Sequence, residues 1–229
     1  MPDFAVFAST LGLSFKNQNL LVEALTHRSY LNEHPEYTGG HNERLEFLGD
    51  AVLDLVITEF LFKKFPSKPE GELTSYHAAL VNAVSLAACA QALNVGDFLL
   101  LAKGEAKVGR ARETRLANAF EAIIGAIYLD SGYTSAEAFI AKNLYEKIDA
   151  IIATGSHQDA KSRFQEIVQK NKGITPTYEL LSEEGPAHEP SFTVGLFIGK
   201  EEIARGEGAS KQEAERAAAE AGLKALGWS

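Results

Sequence analysis

Glu43-Arg44-Leu45-Glu46-Phe47-Leu48-Gly49-Asp50-Ala51-Val52-Leu53-Asp54-Leu55-Val56-Ile57 sets apolar side chains in nearly every helical direction. That pattern predicts a helix buried on most of its sides. Yet Glu43, Glu46 and Asp50 follow one another at i, i+3 and i+7, which lines three carboxylates along one stripe of that helix. On an ordinary amphipathic helix such a stripe is simply the solvated face, but this helix has little room for one.

A second segment repeats the conflict. Leu116-Ala117-Asn118-Ala119-Phe120-Glu121-Ala122-Ile123-Ile124-Gly125-Ala126-Ile127-Tyr128-Leu129 carries only Asn118 and Glu121 as strongly polar side chains, and they too share a helical face. A buried carboxylate without a partner costs several kcal/mol or more, so it is protonated, paired with a base or bound to a cation. Structural ion pairs with Arg44 or with the basic loop at residues 103–115 are one outcome. The other is a metal site, in which two such helices facing each other gather four oxygen ligands. Oxygen-only donors suit a hard ion, and a carboxylate cluster with open water positions suits Mg²⁺, which implies phosphate-ester chemistry.

The surrounding chain sets the frame. It has 229 residues, 45% of them hydrophobic and 23% charged, enough to bury a core in one or two domains. No apolar run reaches the roughly 18 residues of a membrane span, and Met1-Pro2-Asp3-Phe4 lacks a basic signal start, so the expected location is cytoplasmic with no membrane partner. The single cysteine, Cys89, lies in an apolar stretch and reads as a core residue, which excludes a disulfide scaffold and a zinc finger. The net charge of −9 argues against a generally positive binding surface. Charge is uneven, however: Lys103, Lys107, Arg110, Arg112 and Arg115 stand close together with only Glu105 and Glu113 among them.

From Leu20 to about Ile152 the apolar period is helical, with Pro66, Pro69 and Gly71 separating helices and a short apolar run at residues 98–101 ahead of the basic loop. Residues 154–158 read as a linker between domains at 1–153 and 159–229. Beyond it the order becomes α-β-β-β-α: a helix at 159–169, strands at 177–181, 191–198 and 201–205, and an alanine-rich helix at 211–226 with Ser210 as its N-cap. The expected fold class is therefore an all-α domain followed by a smaller α+β domain.

The stretch Asn42-Glu43-Arg44-Leu45-Glu46-Phe47-Leu48-Gly49-Asp50-Ala51-Val52-Leu53 resembles the signature of the ribonuclease III family. Ala24-Leu25-Thr26-His27-Arg28-Ser29-Tyr30, Glu70-Gly71-Glu72-Leu73-Thr74 and the block from Phe120 to Asp130 resemble its other segments, in the family's order. The tail resembles a double-stranded-RNA-binding domain through Lys161-Ser162-Arg163-Phe164-Gln165-Glu166, Gly185-Pro186-Ala187-His188 and Gly208-Ala209-Ser210-Lys211-Gln212-Glu213-Ala214-Glu215. The resemblance implies a homodimeric endonuclease for double-stranded RNA, dependent on Mg²⁺ with Mn²⁺ able to substitute, acting on precursors of ribosomal RNA and other structured transcripts, with no small-molecule substrate. Products would carry 5′-phosphate and 3′-hydroxyl ends and two-nucleotide 3′ overhangs. Carried over by position, it implies Glu46, Asp50, Asn118 and Glu121 as the metal set and Asp50, Glu121, Glu43 and Glu70 as catalytic. It also implies Phe47 as the aromatic that plugs the partner subunit. Ser162, Gln165 and Glu166 would meet one minor groove, His188 the next, and Lys211 the phosphates between.

Two departures matter. Asn118 stands where aspartate is usual, so the four-residue set holds three formal negatives instead of four. Gln212 follows Lys211 where a second basic residue is common, and residues 157–229 hold nine basic against twelve acidic side chains, which predicts weak, strongly salt-dependent RNA binding. Two competing readings follow from these facts: a double-stranded-RNA-binding protein whose catalysis is weakened or lost through Asn118, and a metal-dependent hydrolase of small phosphates, which the RNA-binding tail disfavours.

Overall fold

A computed structural model of the chain describes residues 2–105, 109–155, 160–186 and 190–228. The chain divides into two compact units, Met1–His157 and Gln158–Ser229. The first is helical and the second α+β, as the change of pattern predicts.

The helical unit is organised around two long helices, α4 (Glu43–Lys64) and α7 (Arg110–Ser131). Between residues 116 and 127, α7 buries ten side chains or glycines, and it packs against α4, α6 (Ala83–Ala92), α2 (Gln18–Ala24) and α8 (Tyr133–Ile140). Glycine makes the central crossing possible. A Cβ at Gly49 would lie 1.8 Å from the Glu121 carbonyl oxygen, and one at Gly125 would lie 2.2 Å from that of Leu45. Each helix thus presents bare backbone to the other, closer than any side chain allows.

The short apolar run before the basic loop is an extended segment pinned to residues 25–27, with Leu100 N–H donating to the Leu25 carbonyl (2.8 Å) and His27 N–H to the Leu100 carbonyl (3.0 Å). Asn42 N–H donates to the Thr26 carbonyl (2.9 Å), which fixes where α4 begins. Cys89 is buried in the core, as expected.

Three details differ from the sequence expectation. A first helix, α1 (Phe4–Leu11), lies ahead of the recognised pattern; Asp3 caps it and Phe7 stacks on Phe98. The last helix of the unit, α9 (Lys147–Thr154), runs into the expected linker before ending at Gly155 in the left-handed region (φ 65°). And α4 is not buried on most of its sides. Phe47, Ala51, Leu55 and Phe62 form an exposed apolar stripe, with Phe47 81% and Phe62 72% exposed.

In the second unit, β1 (Thr177–Glu184), β2 (Ser191–Ile198) and β3 (Glu201–Gly208) form an antiparallel sheet in that order. α10 (Ala160–Lys172) and α11 (Lys211–Ala225) cover one face of it. Their shared core is Phe164, Val168, Leu196, Ile198, Ala218, Ala219 and Leu223. The alanines of α11 let it approach so closely that a Cβ at Gly206 would lie 2.0 Å from the Ala218 nitrogen. Ser210 caps α11 by accepting from Glu213 N–H (3.2 Å).

Candidate active site

The Gly49–Gly125 crossing determines what lies beside it. Glu46 and Asp50 flank Gly49 on α4, while Asn118 and Glu121 lie within two turns before Gly125 on α7. Bringing backbone to backbone therefore forces these polar side chains into one another's fields. Glu121 responds most. Burial, reinforced by the charges of Asp50, Glu46 and Asp54, pushes its carboxyl up to about 7. Glu46 is raised by burial and by Glu43 and Asp50, against a hydrogen bond from the Asn118 side chain that pulls the other way. Asp50, although more exposed, is also raised, by desolvation and then by Asp54, with His77 opposing.

Among the groups that shift these three acids, His77 acting on Asp50 is the only base. Arg44 does not neutralise them: among the described residues no ion pair involves Glu46, Asp50 or Glu121, and Arg115, which with Arg110 and Arg112 belongs to α7 and not to the expected loop, pairs with Glu105 (3.0 Å). Lys107 lies outside the described residues. Like charges held together without a counter-cation are the arrangement that a hard divalent ion relieves, and every donor here is oxygen, so the chemistry of the set fits such an ion. The side chains as they stand are spread: among the described residues no three of His, Cys, Asp or Glu are gathered closely enough to hold one.

The remaining expected residues occupy distinct positions. Glu43 opens α4 and faces Arg28 (3.4 Å) and His41 (3.8 Å). Glu70 opens α5 (Glu70–Val81), accepts from the Thr74 hydroxyl (2.9 Å), and lines a mainly apolar cavity of 590 Å³ together with Asp54, Phe62, Lys68 and His77. Phe47 points to solvent. On α10, Ser162, Gln165 and Glu166 line one open groove with Gln169 and Lys170. Lys211 is the first residue of α11, its Nζ 5.9 Å from the centre of the Phe192 ring. His188 lies outside the described residues.

Sequence reading passed over Asp54 and His77. Asp54 sits one turn beyond Asp50 and raises both Asp50 and Glu121, and the i+4 spacing that continues the acidic stripe was the available signal. His77 Nε2 stands 3.3 Å from the Asp54 carboxylate, close enough for charge interaction but without hydrogen-bond geometry. Nothing in the local pattern of α5 marks that pairing.

Known proteins match both units of the chain. A family described as Ribonuclease-III-like matches residues 17–148, and one described as Double-stranded RNA binding motif matches residues 160–226. Ribonuclease 3 of Carboxydothermus hydrogenoformans is 48% identical over 217 residues, 94% of this chain and 92% of that protein. Ribonuclease 3 of Geobacillus kaustophilus is 44% identical over 97% of this chain and 91% of its own length. Among solved structures, the nuclease domain of ribonuclease III from Campylobacter jejuni, described for structural flexibility in a region involved in dimer formation, aligns with a TM-score of 0.55. It is 44% identical, over 62% of this chain and 98% of that domain.

Proposed function

Because the chain belongs to the ribonuclease III family, we propose that its helical unit hydrolyses phosphodiester bonds of double-stranded RNA held by its α+β unit, leaving 5′-phosphate and 3′-hydroxyl ends with two-nucleotide 3′ overhangs. Ribosomal RNA precursors and other structured transcripts are the substrates, and the cytoplasm is the setting. The observation that carries the reading is the carboxylate set at the Gly49–Gly125 crossing, where burial and neighbouring acids lift Glu121 to about 7. Among the described residues no single helix is long and apolar enough to cross a membrane.

Glu46, Asp50, Asn118 and Glu121 would hold the divalent ion, Mg²⁺ or Mn²⁺ in its place. Such an ion, when bound, acidifies an attacking water and offsets charge that builds on the phosphate. The protein's own contribution is placement and protonation. Asn118 steadies Glu46 by a hydrogen bond in place of a fourth negative charge. In the metal-free protein, burial and the neighbouring carboxylates push Glu121 up to about 7, an environment that favours a bound cation over a bare carboxylate. Glu43 and Glu70 flank the cleavage centre and help to orient the RNA strand. Water is the nucleophile, so the protein forms no covalent intermediate with its substrate.

The exposed stripe of Phe47, Ala51, Leu55 and Phe62 supports a homodimer, because contiguous apolar surface on one long helix marks an interface. Phe47 then plugs the partner subunit. Of the alternatives, the non-catalytic binder gains no support, since the relatives reported above are named for the nuclease.

The deciding experiment incubates the full chain with a long RNA duplex, with Mg²⁺ and with EDTA, and sizes and end-groups the fragments. Short duplexes with 5′-phosphates in the Mg²⁺ arm alone are expected. An intact duplex in both arms, or 3′-phosphate ends, refutes the proposal.

A further inference from the structure

The α+β unit divides its charge between its two layers. Helices α10 and α11 hold seven basic against four acidic side chains, whereas residues 177–208, the sheet and its connections, hold two basic against seven acidic. The helices therefore carry a net +3 and the sheet segment −5. A duplex attracted to the helices is repelled by the sheet.

The sheet face turned away from the helices has a defined centre. The nearest neighbours of a Cβ at Gly195 would be the Phe197 ring (2.7 Å) and Leu181 Cδ1 (3.1 Å), both from the sheet itself. Phe197 and Leu181 therefore cover the bare backbone of Gly195 on the outer face, and Leu181 is 40% exposed. The irregularity between Leu180 and Ser182 in the pairing of β1 with β2 brings Leu181 to this face. Gly195 pairs across the strands with Glu179 on one side and Arg205 on the other, and Thr193 pairs with Glu207. Glu179, Arg205 and Glu207 thus share the outer face with the apolar centre. Arg205 is held by Glu202 through two hydrogen bonds (2.5 and 3.0 Å), while among the described residues neither Glu179 nor Glu207 has an ion-pair partner. β1 is an edge strand, so this face is open along one side.

We propose that the outer face of this sheet, Leu181 and Phe197 ringed by Glu179 and Glu207, docks a basic polypeptide segment with an apolar centre, supplied by a partner protein. The charge pattern selects that occupant. RNA meets a segment whose residues 177–208 sum to −5, and a second copy docked through this same face would bring like acids to face these. A cationic segment with apolar side chains satisfies both parts of the surface, and because it sits opposite the helices it leaves α10 and α11 free for a duplex. The nuclease could then be brought to RNA that is already carrying basic proteins.

The test titrates the full chain with a short synthetic peptide whose leucine and valine centre is flanked by arginines, following backbone amide shifts by NMR and affinity by fluorescence anisotropy. Shifts are expected at Glu179, Leu181, Thr193 and Phe197, unchanged when duplex RNA is present. Affinity is expected to fall about tenfold or more, roughly 1.4 kcal/mol, in Glu179→Lys/Glu207→Lys and in Leu181→Ser. Both replacements are at exposed positions, and retained duplex binding reports that the unit still folds. Equal affinity for a control peptide with serine in place of leucine and valine reduces the face to nonspecific charge attraction and overturns the proposal. So do shifts confined to α10 and α11, indifference to both variants, or self-association of the chain through this face.

Discussion

Replacing Gly49 by alanine isolates the contact on which the site depends. In an open helix the change is favourable, by roughly 0.5–1 kcal/mol, because alanine loses less backbone entropy on folding. At Gly49 the new Cβ would lie 1.8 Å from the Glu121 carbonyl oxygen and 2.9 Å from the Gly125 nitrogen. The first distance is about 1.6 Å short of ordinary contact, and the obstructing atoms are backbone, which cannot rotate away. Helices α4 and α7 must separate, and overpacking of this kind costs about 1–3 kcal/mol or more. Taking the upper end and subtracting the propensity gain leaves a net loss of about 2–2.5 kcal/mol. For a unit of this size that lowers its unfolding midpoint by roughly 4–10 °C. Calorimetry of the full chain, following the transition of the helical unit in EDTA, reads the effect. Gly71→Ala is the control, since Gly71 lies in α5 with nothing within 4 Å of a new Cβ and should become slightly more stable. The same separation carries Glu121 away from Asp50 and Glu46, so its carboxyl should titrate below 7, which carboxyl NMR detects. A Gly49→Ala protein as stable as the Gly71→Ala control, with Glu121 unmoved, would refute the reasoning.

Glu121 itself makes stability depend on pH. Its folded pKa, about 7, lies above the ordinary glutamate value of 4.5, so the folded state binds its proton more tightly. Stability is then fully present below about pH 4.5 and is lost as pH rises through 7, by on the order of 2 kcal/mol once partial solvent screening is allowed for. Denaturant midpoints of the metal-free protein across that window should fall, and Glu121→Gln should flatten the fall; an unchanged slope in Glu121→Gln counts against the assignment. Asn118→Asp should shift Mg²⁺ activation to lower concentration by restoring a charge, while lowering metal-free stability because a carboxylate replaces the hydrogen-bond donor to Glu46. An unmoved activation curve would mean that Asn118 does not touch the ion. Phe47→Ala and Phe62→Ala should weaken dimerisation about tenfold or more by light scattering yet hardly alter monomer stability, since both rings are exposed in the single chain. Removing residues 157–229 should sharply reduce affinity for long duplexes while leaving metal binding intact; a truncated protein that binds duplexes as well as the full chain would detach RNA capture from the α+β unit.

The parts of this molecule that could be read in advance are those whose cause is local. The 3.6-residue period announces α4 and α7, and acids inside that period mark residues 46, 50 and 121 as candidates before any geometry is known. The cap at Ser210 and the β2 boundaries are likewise local, and they stand where the residues indicate. What escaped depends on contacts between segments far apart in the chain. The burial expected for α4 assumed that every apolar side chain is covered within one chain, whereas Phe47, Leu55 and Phe62 stay largely exposed. An isolated sequence does not distinguish a residue that faces its own core from one that faces another subunit, because both are apolar at the same helical spacing. Helix α1 was missed because eight residues give barely two turns of pattern, and its place is fixed by Phe7 meeting Phe98 across ninety residues. The Asp54–His77 approach joins two helices whose patterns are each ordinary. Gly49 and Gly125 are the most instructive case: each glycine alone reads as a weak point in its helix, and only their mutual contact turns both into the reason that the acids of the two helices lie within one another's fields. Chemistry at this site is thus visible in the sequence as an energetic contradiction, acids where apolar packing should be, while its resolution is visible only in the crossing of the two helices.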